Sequence, residues 1–298
     1  MDASQRRDFI GGSDAGVILG VNAYTSPYQL WLEKTGQSER IEAENHSTAW
    51  GRRLEPVVGE AYAERTGRRL VRHPEMLVHP EHPMLGAHID FAVAGKEVGL
   101  ECKTASAFAA NQWGDDGARS PDAVPPSYYA QIQHYLAVTG WAVWDIAVLI
   151  GGNDLRVYSY ERDDEFIEGL IAEELAFWEC IQRREPPALR TLMDARLAYP
   201  LADPGKTLAA DDALRGTVAE LRNLREQVRA LEEREEALKT TLMLALGERE
   251  RLVDGGATLV TWKNQSRSRV DLAALRAQHP QLALELTVTE QSRVLRIK

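Results

Sequence analysis

Cysteine is scarce in this chain, and long uncharged apolar runs are missing from it. With only Cys102 and Cys180 among 298 residues, neither a cysteine-only zinc site nor a four-cysteine iron–sulfur cluster can be built within one chain. At 33.3 kDa the chain is long enough to bury a core without disulfide staples, so a reducing cytoplasm is the expected compartment. No apolar run reaches the roughly 18 residues a membrane span needs. The stretch Met1-Asp2-Ala3-Ser4-Gln5-Arg6-Arg7 lacks the apolar segment of a signal peptide, so a protein neither exported nor embedded is expected. Basic residues are also in deficit: 35 Lys and Arg against 45 Asp and Glu give a formal net charge of -10. Bulk attraction therefore does not coat this chain with nucleic acid, although a localised basic channel stays open.

What is present is ordinary globular composition, 44% hydrophobic and 27% charged, of a length that suits one large domain with a smaller appendage. Cations cluster twice. Arg52, Arg53, Arg65, Arg68, Arg69 and Arg72 share their stretch with Glu55, Glu60 and Glu64. Lys263, Arg267, Arg269, Arg276, Arg293, Arg296 and Lys298 face only Asp271, Glu285 and Glu290. Any nucleic-acid contact should use these zones; solvated surface charge is the bland alternative.

Helices are expected first. Gly11-Gly12 leads into Ser13 and Asp14, good N-cap residues before Val17, Ile18 and Leu19. A second helix starts near Ser26-Pro27 and runs to Gly36. A third runs from about Thr48 to Thr66, with Pro56 either kinking it or marking its first turn. Short strands follow as consecutive hairpins at 70–72, 76–79, 86–93 and 98–104. After a Gly/Asp/Pro-rich loop come a helix over 127–139, a hairpin of 144–150 with 155–160, and an amphipathic helix over 165–184. Beyond residue 200, Leu221, Val228 and Leu242 form one seven-residue series, interrupted by Glu235. Leu224, Leu231, Leu238 and Ala245 form a second, so a long helix able to pair with another is expected, as a hairpin appendage. A strand pair, a helix near 271–278 and a final strand complete the reading.

The segment that can do chemistry is Gly86-Ala87-His88-Ile89-Asp90-Phe91 followed by Gly99-Leu100-Glu101-Cys102-Lys103-Thr104. Alternate side chains of a strand share a face, so Glu101 and Lys103 point together and Cys102 points away. If Asp90 ends the preceding strand, its carboxylate meets Glu101 across the hairpin. The pair can then hold Mg²⁺, which prefers carboxylate oxygens and retained waters, and Lys103 can orient or deprotonate a water held by the ion for attack on phosphorus. A surface salt bridge is the competing reading. Glu55, beside the apolar face of the third helix, could bring another carboxylate, and Gln131 and Tyr135, four apart, lie on one helix face. His73, His79, His82 and His88 invite a zinc reading, but three of them precede Pro in turns and no cysteine accompanies them. Trp113, Trp141, Trp144 and Trp178 are assigned to core or loop packing rather than to base stacking.

In this order the motifs resemble the YqaJ-type viral recombinases, relatives of lambda exonuclease within the PD-(D/E)XK nuclease superfamily. The resemblance covers roughly residues 6–180. It rests on Ile10-Gly11-Gly12-Ser13-Asp14 with Ile18-Leu19-Gly20, on Ser26-Pro27 with Leu30-Trp31 and Lys34-Thr35-Gly36, and on Gly51 with Leu54-Glu55-Pro56. It continues through Gly86, Ile89-Asp90, Leu100-Glu101-Cys102-Lys103, and Gln131 with Tyr135. It implies an α/β fold, a central mixed sheet flanked by helices over 1–200; the helical hairpin-like, coiled-coil and small α+β appendage over 201–298 rests on the heptads and the strand pattern alone. By resemblance Asp90 and Glu101 are the metal carboxylates, joined by the Cys102 backbone carbonyl and Glu55. Lys103 is the catalytic lysine, and Gln131 with Tyr135 orders the site. Ser13 with Arg6 or Arg7 grips a 5′ phosphate. Ile89 stands where the superfamily nominally has Pro. The implied activity is Mg²⁺-dependent (or Mn²⁺-dependent) degradation of one strand of duplex DNA from its end, 5′ to 3′, making tails for recombination with a strand-annealing protein. A ring of three copies is the implied assembly. The rivals are an endonuclease or junction resolvase on the same fold, and a non-catalytic DNA-end or partner-binding module.

Overall fold

Strand β6 (Val98–Ala105) organises the first unit. It pairs in parallel with β7 (Val143–Ile150) along its whole length, from Val98 opposite Val143 to Ala105 opposite Ile150. Its other neighbour, β5 (Phe91–Val93), runs antiparallel and meets it only at Leu100 and Gly99. Beyond Leu100 that edge of β6 has no strand beside it among the described residues. Strands β2 (Leu70–Val71) and β8 (Asp154–Glu161) complete a five-stranded mixed sheet of order β2-β5-β6-β7-β8. The β7–β8 hairpin turns through Gly151 and Gly152, whose φ of 61° and 83° only glycine adopts without strain. The computed structural model describes residues 5–38, 46–73, 75–289 and 291–297. Met1 to Ser4, Pro74, and Glu290 and Lys298 of the second charged cluster lie outside them.

Helices cover both faces. On the Glu101 face, α4 (Pro126–Thr139) packs Ile132, Tyr135 and Leu136 against Trp144, Ile146 and Val148. On the Cys102 face, α3 (His46–Thr66) sets Val58 and Tyr62 against Phe91, Leu100 and Ala147. Helix α3 runs through Pro56, which is therefore not its first turn. The architecture is the expected one, a central mixed sheet flanked by helices.

The continuous strand expected over 86–93 is broken. Strand β4 (Leu85–Ala87) joins a separate small sheet, between β3 (Leu77–Val78) and a parallel β1 (Ile10–Gly11). The cause is burial: Ile89 belongs to the core under α4 and Phe91 to the core under α3. Two residues apart in one regular strand would share a face, so the chain must turn over between them.

The helix expected to be capped by Ser13 or Asp14 is capped two residues before Ser13. Gly11 is the N-cap of α1 (Gly12–Ile18), and the Asp14 carboxylate accepts the Gly11 N–H at 3.0 Å. Helix α2 (Pro27–Lys34) starts where expected, after Ser26, which caps it. Ser26 Oγ accepts from Gln29 N–H at 3.2 Å, and Gln29 Oε1 accepts from Ser26 N–H at 2.9 Å. Ser26 Oγ also donates to buried Asp194 of α6 (Leu192–Ala198) at 2.5 Å.

Helix α5 (Asp164–Arg183) buries Ile167, Leu170, Phe177 and Ile181. It also buries Glu174, which meets His134 of α4. Nδ1 of His134 lies 2.7 Å from Glu174 Oε1 and Nε2 lies 3.0 Å from the Gly86 carbonyl. Both neighbours only accept, so both ring nitrogens carry protons.

The second compact unit spans residues 199–298. Its heptad segment is not a helical hairpin but one helix, α7 (Asp212–Leu246), with no Pro and no internal turn to fold it back. A β-hairpin of β9 (Arg251–Asp254) and β10 (Ala257–Thr261) follows, then α8 (Leu272–Gln278) and α9 (Pro280–Glu285). The expected final strand is absent from the described residues: Val288, Val294 and Leu295 are exposed with no strand beside them.

Burial alone would push the His134 imidazole down, but Glu174 and the Gly86 carbonyl outweigh it and hold the ring above its ordinary 6.5. A pKa raised by folding contributes stability that is full below the unfolded value and is lost as pH rises through the folded one. His134→Gln should therefore lower the melting temperature most near about pH 6 and progressively less toward about pH 9. Thermal melts across that range check it, and an equal loss at both ends would show that the pair is not ionic.

Candidate active site

The alternation of β6 puts Glu101 and Lys103 under α4, where Gln131 reaches both. Lys103 Nζ donates to Glu101 Oε1 at 2.5 Å and to Gln131 Oε1 at 3.1 Å, and Gln131 Nε2 donates to the same Glu101 oxygen at 2.8 Å. The Gln131 amide also donates to the Tyr135 hydroxyl one turn later, at 2.8 Å. The ammonium lies 4.6 Å from the centre of the Tyr128 ring. Three polar side chains thus close a ring of hydrogen bonds, and Glu101 Oε2 is left buried without a hydrogen-bond partner among the described residues.

Asp90 sits in the break between β4 and β5 rather than at the end of a strand. Its Oδ2 accepts the Cys102 N–H at 2.8 Å, on the edge that β5 has already left. A residue's N–H and C=O point to the same side of a strand, so the Cys102 carbonyl faces that opening too. Burial, and then the charge of nearby Glu101, push the Asp90 carboxyl up to about 8, against the pull of the Cys102 amide and Lys103. Burial would lower Lys103, but Glu101 outweighs it and keeps the amine charged. The Cys102 thiol lies on the other face of the sheet, pushed far up by burial and the neighbouring carboxylates, which makes it a poor nucleophile.

Glu55 stands apart from this pair. It lies on α3, one turn before Val58, with its carboxylate 3.8 Å from the Arg72 guanidinium. Burial raises its pKa, with Arg72 opposing. Among the described residues no three His, Cys, Asp or Glu side chains converge closely enough to enclose a metal ion.

A cleft of about 260 Å³ joins these groups to the start of the chain. Arg6, Gly12, Ser13 and Lys34 line it together with Asp90 and Glu101. Arg7 points elsewhere, its guanidinium packed over Gly36. Gly12 has a reason beyond exposing its amide. A Cβ there would lie 2.4 Å from the Tyr135 ring, so only glycine lets α1 rest on the tyrosine that holds Gln131.

Sequence reasoning quoted Lys34 within the resemblance but gave it no role. Its Nζ donates to the carbonyls of Arg6 (2.7 Å) and Phe9 (2.6 Å) and pairs with buried Asp14 at 2.6 Å, which staples the cleft's floor. A lysine in the last turn of a helix reads as an ordinary partner of the helix dipole, so this role is not visible in the sequence. The first arginine cluster is also not one free patch. Arg65 pairs with Asp116 and Arg68 with buried Asp145, while Arg53 lies 5.3 Å over the Trp50 ring and Arg72 5.0 Å over Phe91.

The profile of the YqaJ-like viral recombinase domain matches residues 3–142. The YqaJ protein of Bacillus subtilis (strain 168) is 32% identical over 283 residues, covering 93% of this chain and 86% of that protein. Among solved structures, the alkaline exonuclease LHK-Exo of Laribacter hongkongensis superposes with a TM-score of 0.47 at 18% identity, over 61% of this chain and 92% of that one. A phage-related exonuclease of Haemophilus somnus 129PT does so with a TM-score of 0.47 at 12% identity, over 61% and 96%.

Asp90 generates a stability prediction of its own. A carboxyl raised from 3.8 to about 8 favours folding while it is protonated, and that contribution is lost as pH climbs through the interval. In metal-free solution Asp90→Asn should therefore melt above the wild type at about pH 8 and approach it at about pH 4. A wild type that melts higher at the alkaline end would show that burial and Glu101 do not hold the carboxyl up.

Proposed function

Because the chain belongs to the family of YqaJ-like viral recombinase domains, we propose that it is a metal-dependent DNA exonuclease. It degrades one strand of linear duplex from the 5′ end and leaves single-stranded tails for a strand-annealing protein. The observation that carries this reading is half-buried Asp90 beside buried Glu101 at the open edge of β6, with a Glu101 oxygen that has no partner among the described residues near a charged lysine.

The donors suit Mg²⁺, or Mn²⁺ in its place. The cost that burial and the neighbouring Glu101 place on ionising Asp90 is relieved by a dication, and an all-oxygen set with few protein ligands fits an ion that keeps its waters. Asp90, Glu101 and the Cys102 carbonyl would hold it, with Glu55 across the opening. When bound, the ion supplies Lewis-acid polarisation of the phosphodiester and neutralises charge developing on it.

The chain's own groups do the rest. Lys103, fixed between Glu101 and Gln131, presents an N–H to an attacking or phosphoryl oxygen at the edge of the strand. Its charged state favours orienting and stabilising over proton removal. Gln131 holds Lys103 and Glu101 in one geometry, and Tyr135 holds Gln131. In the same cleft the Ser13 hydroxyl and the Arg6 guanidinium can take a terminal phosphate, Arg through bidentate contacts. A cleft that joins a phosphate grip to the carboxylates favours terminal over internal cleavage.

Alanine at Asp90, Glu101 or Lys103 should cost about 10² to 10⁴ in rate while leaving duplex binding largely intact. The assay is release of end-label from linear duplex, with covalently closed circles alongside and with and without Mg²⁺. Cutting of the circles would favour an endonuclease, and undiminished turnover by Lys103→Ala would remove that residue from the mechanism.

Polarity has a separate check. The wild type should prefer 5′-phosphorylated over 5′-hydroxyl ends, and Ser13→Ala and Arg6→Ala should each shrink the preference. Equal rates on both ends would eliminate the phosphate grip.

A further inference from the structure

The second charged cluster plays no part in the candidate active site. Three of its members, Lys263, Arg267 and Arg269, lie in a run of sixteen residues, 255–270, that holds no Asp or Glu, although acids outnumber bases by 45 to 35 in the whole chain. None of the three forms an ion pair with another described residue. Cations elsewhere are paired: Arg65, Arg68 and Arg72 face carboxylates of the first unit, and Arg215, Arg229 and Lys239 face carboxylates along α7. Three unneutralised cations so close together, in a chain of net charge -10, suit a polyanion whose binding releases its counterions.

The same segment presents an aromatic face. Trp31, Trp113 and Trp144 are buried, and Trp50 lies under the Arg53 guanidinium. Trp262 is 45% exposed and meets no other ring or cation among the described residues. Its N–H donates to the Glu250 carbonyl at 2.9 Å, which fixes its backbone at the open end of the β9–β10 hairpin. From 262 to 270 the chain forms neither helix nor strand, and Asn264, Gln265, Ser266 and Ser268 fill the intervals between the cations. Trp262 and Arg269 are at most about 25 Å apart along it, a reach of a few nucleotides.

The indole decides between single and double strands. Bases of a duplex cover one another's faces, so an open ring finds a base to stack on only in an unpaired strand, where such stacking is sequence-tolerant. A two-stranded ribbon can enter a major groove, but β9–β10 would lead with Asp254, Gly255 and Gly256, and that carboxylate repels phosphate.

We infer that residues 262–269 are a binding site for single-stranded DNA, with Trp262 stacked on a base and Lys263, Arg267 and Arg269 on the phosphates. The inference deepens the nuclease reading, on which it rests for the source of the strand: the tail that degradation leaves. It draws on no residue of the candidate active site.

Fluorescence anisotropy of labelled 5′-hydroxyl oligo(dT) with the full chain in metal-free buffer tests it, because no turnover is required. Trp262→Ala should weaken binding about 5- to 150-fold, and Trp262→Phe should keep most of the affinity, which separates lost stacking from lost folding. Lys263→Gln, Arg267→Gln and Arg269→Gln together should flatten the slope of log affinity against log salt by about 2. Affinity for blunt duplex should change little in either variant. An unchanged oligo(dT) affinity in Trp262→Ala, an unchanged salt slope in the triple variant, or a loss as large on blunt duplex would each overturn the proposal. A chain that binds oligo(dT) as expected yet releases no end-label with Mg²⁺ would uphold this site and sink the nuclease reading instead.

Discussion

The turn-over of the chain at His88–Asp90 is the constraint on which the candidate site depends. Ile89 must reach one core and Phe91 the other, so β5 starts late and leaves β6 after two paired residues. That early departure frees the edge at Cys102, gives Asp90 an amide to hold it, and sets a second carboxylate beside Glu101. An uninterrupted strand over 86–93 would have sealed the same edge with ladder hydrogen bonds. The opening in the sheet and the chemistry within it therefore share one cause, a disagreement between two hydrophobic faces.

Much of this was legible wherever a local period governs. Alternation placed Glu101 and Lys103 on one face, a four-residue spacing put Gln131 and Tyr135 together, and Ser26-Pro27 marked the start of α2. The break at His88–Asp90 was not legible, because it follows from which core each residue joins and that is a tertiary fact. The roles of Lys34 and Gly12 were hidden for the same reason: one caps carbonyls across the chain, the other accommodates a ring contributed from α4. The heptads pointed to a helix that pairs, but a period within one helix does not say whether the partner lies in the same chain.

Buried ionic groups recur at the joints between elements. His134 and Glu174 tie α4 to α5 and to the Gly86 carbonyl, Asp194 ties α6 to the cap of α2, and Asp145 ties β7 to Tyr62 and Arg68. Removing one partner from such a pair leaves an uncompensated charge, which costs far more than the intact pair contributes. These contacts act less as net stabilisation than as selection of one way to assemble the layers.

The ladder between β6 and β7 has a consequence for the order of events at the ribosome. Strand β6 is held on its β5 side by two residues, and its only full-length partner begins at Val143, opposite Val98. Parallel strands cannot close through a tight turn, and the intervening segment includes α4, which supplies Gln131. Pairings so distant along the chain form late. A nascent chain that has already exposed Asp90, Glu101 and Lys103 thus holds every acidic and basic group of the centre without the geometry to use them. The candidate site is therefore assembled only after translation has passed β7.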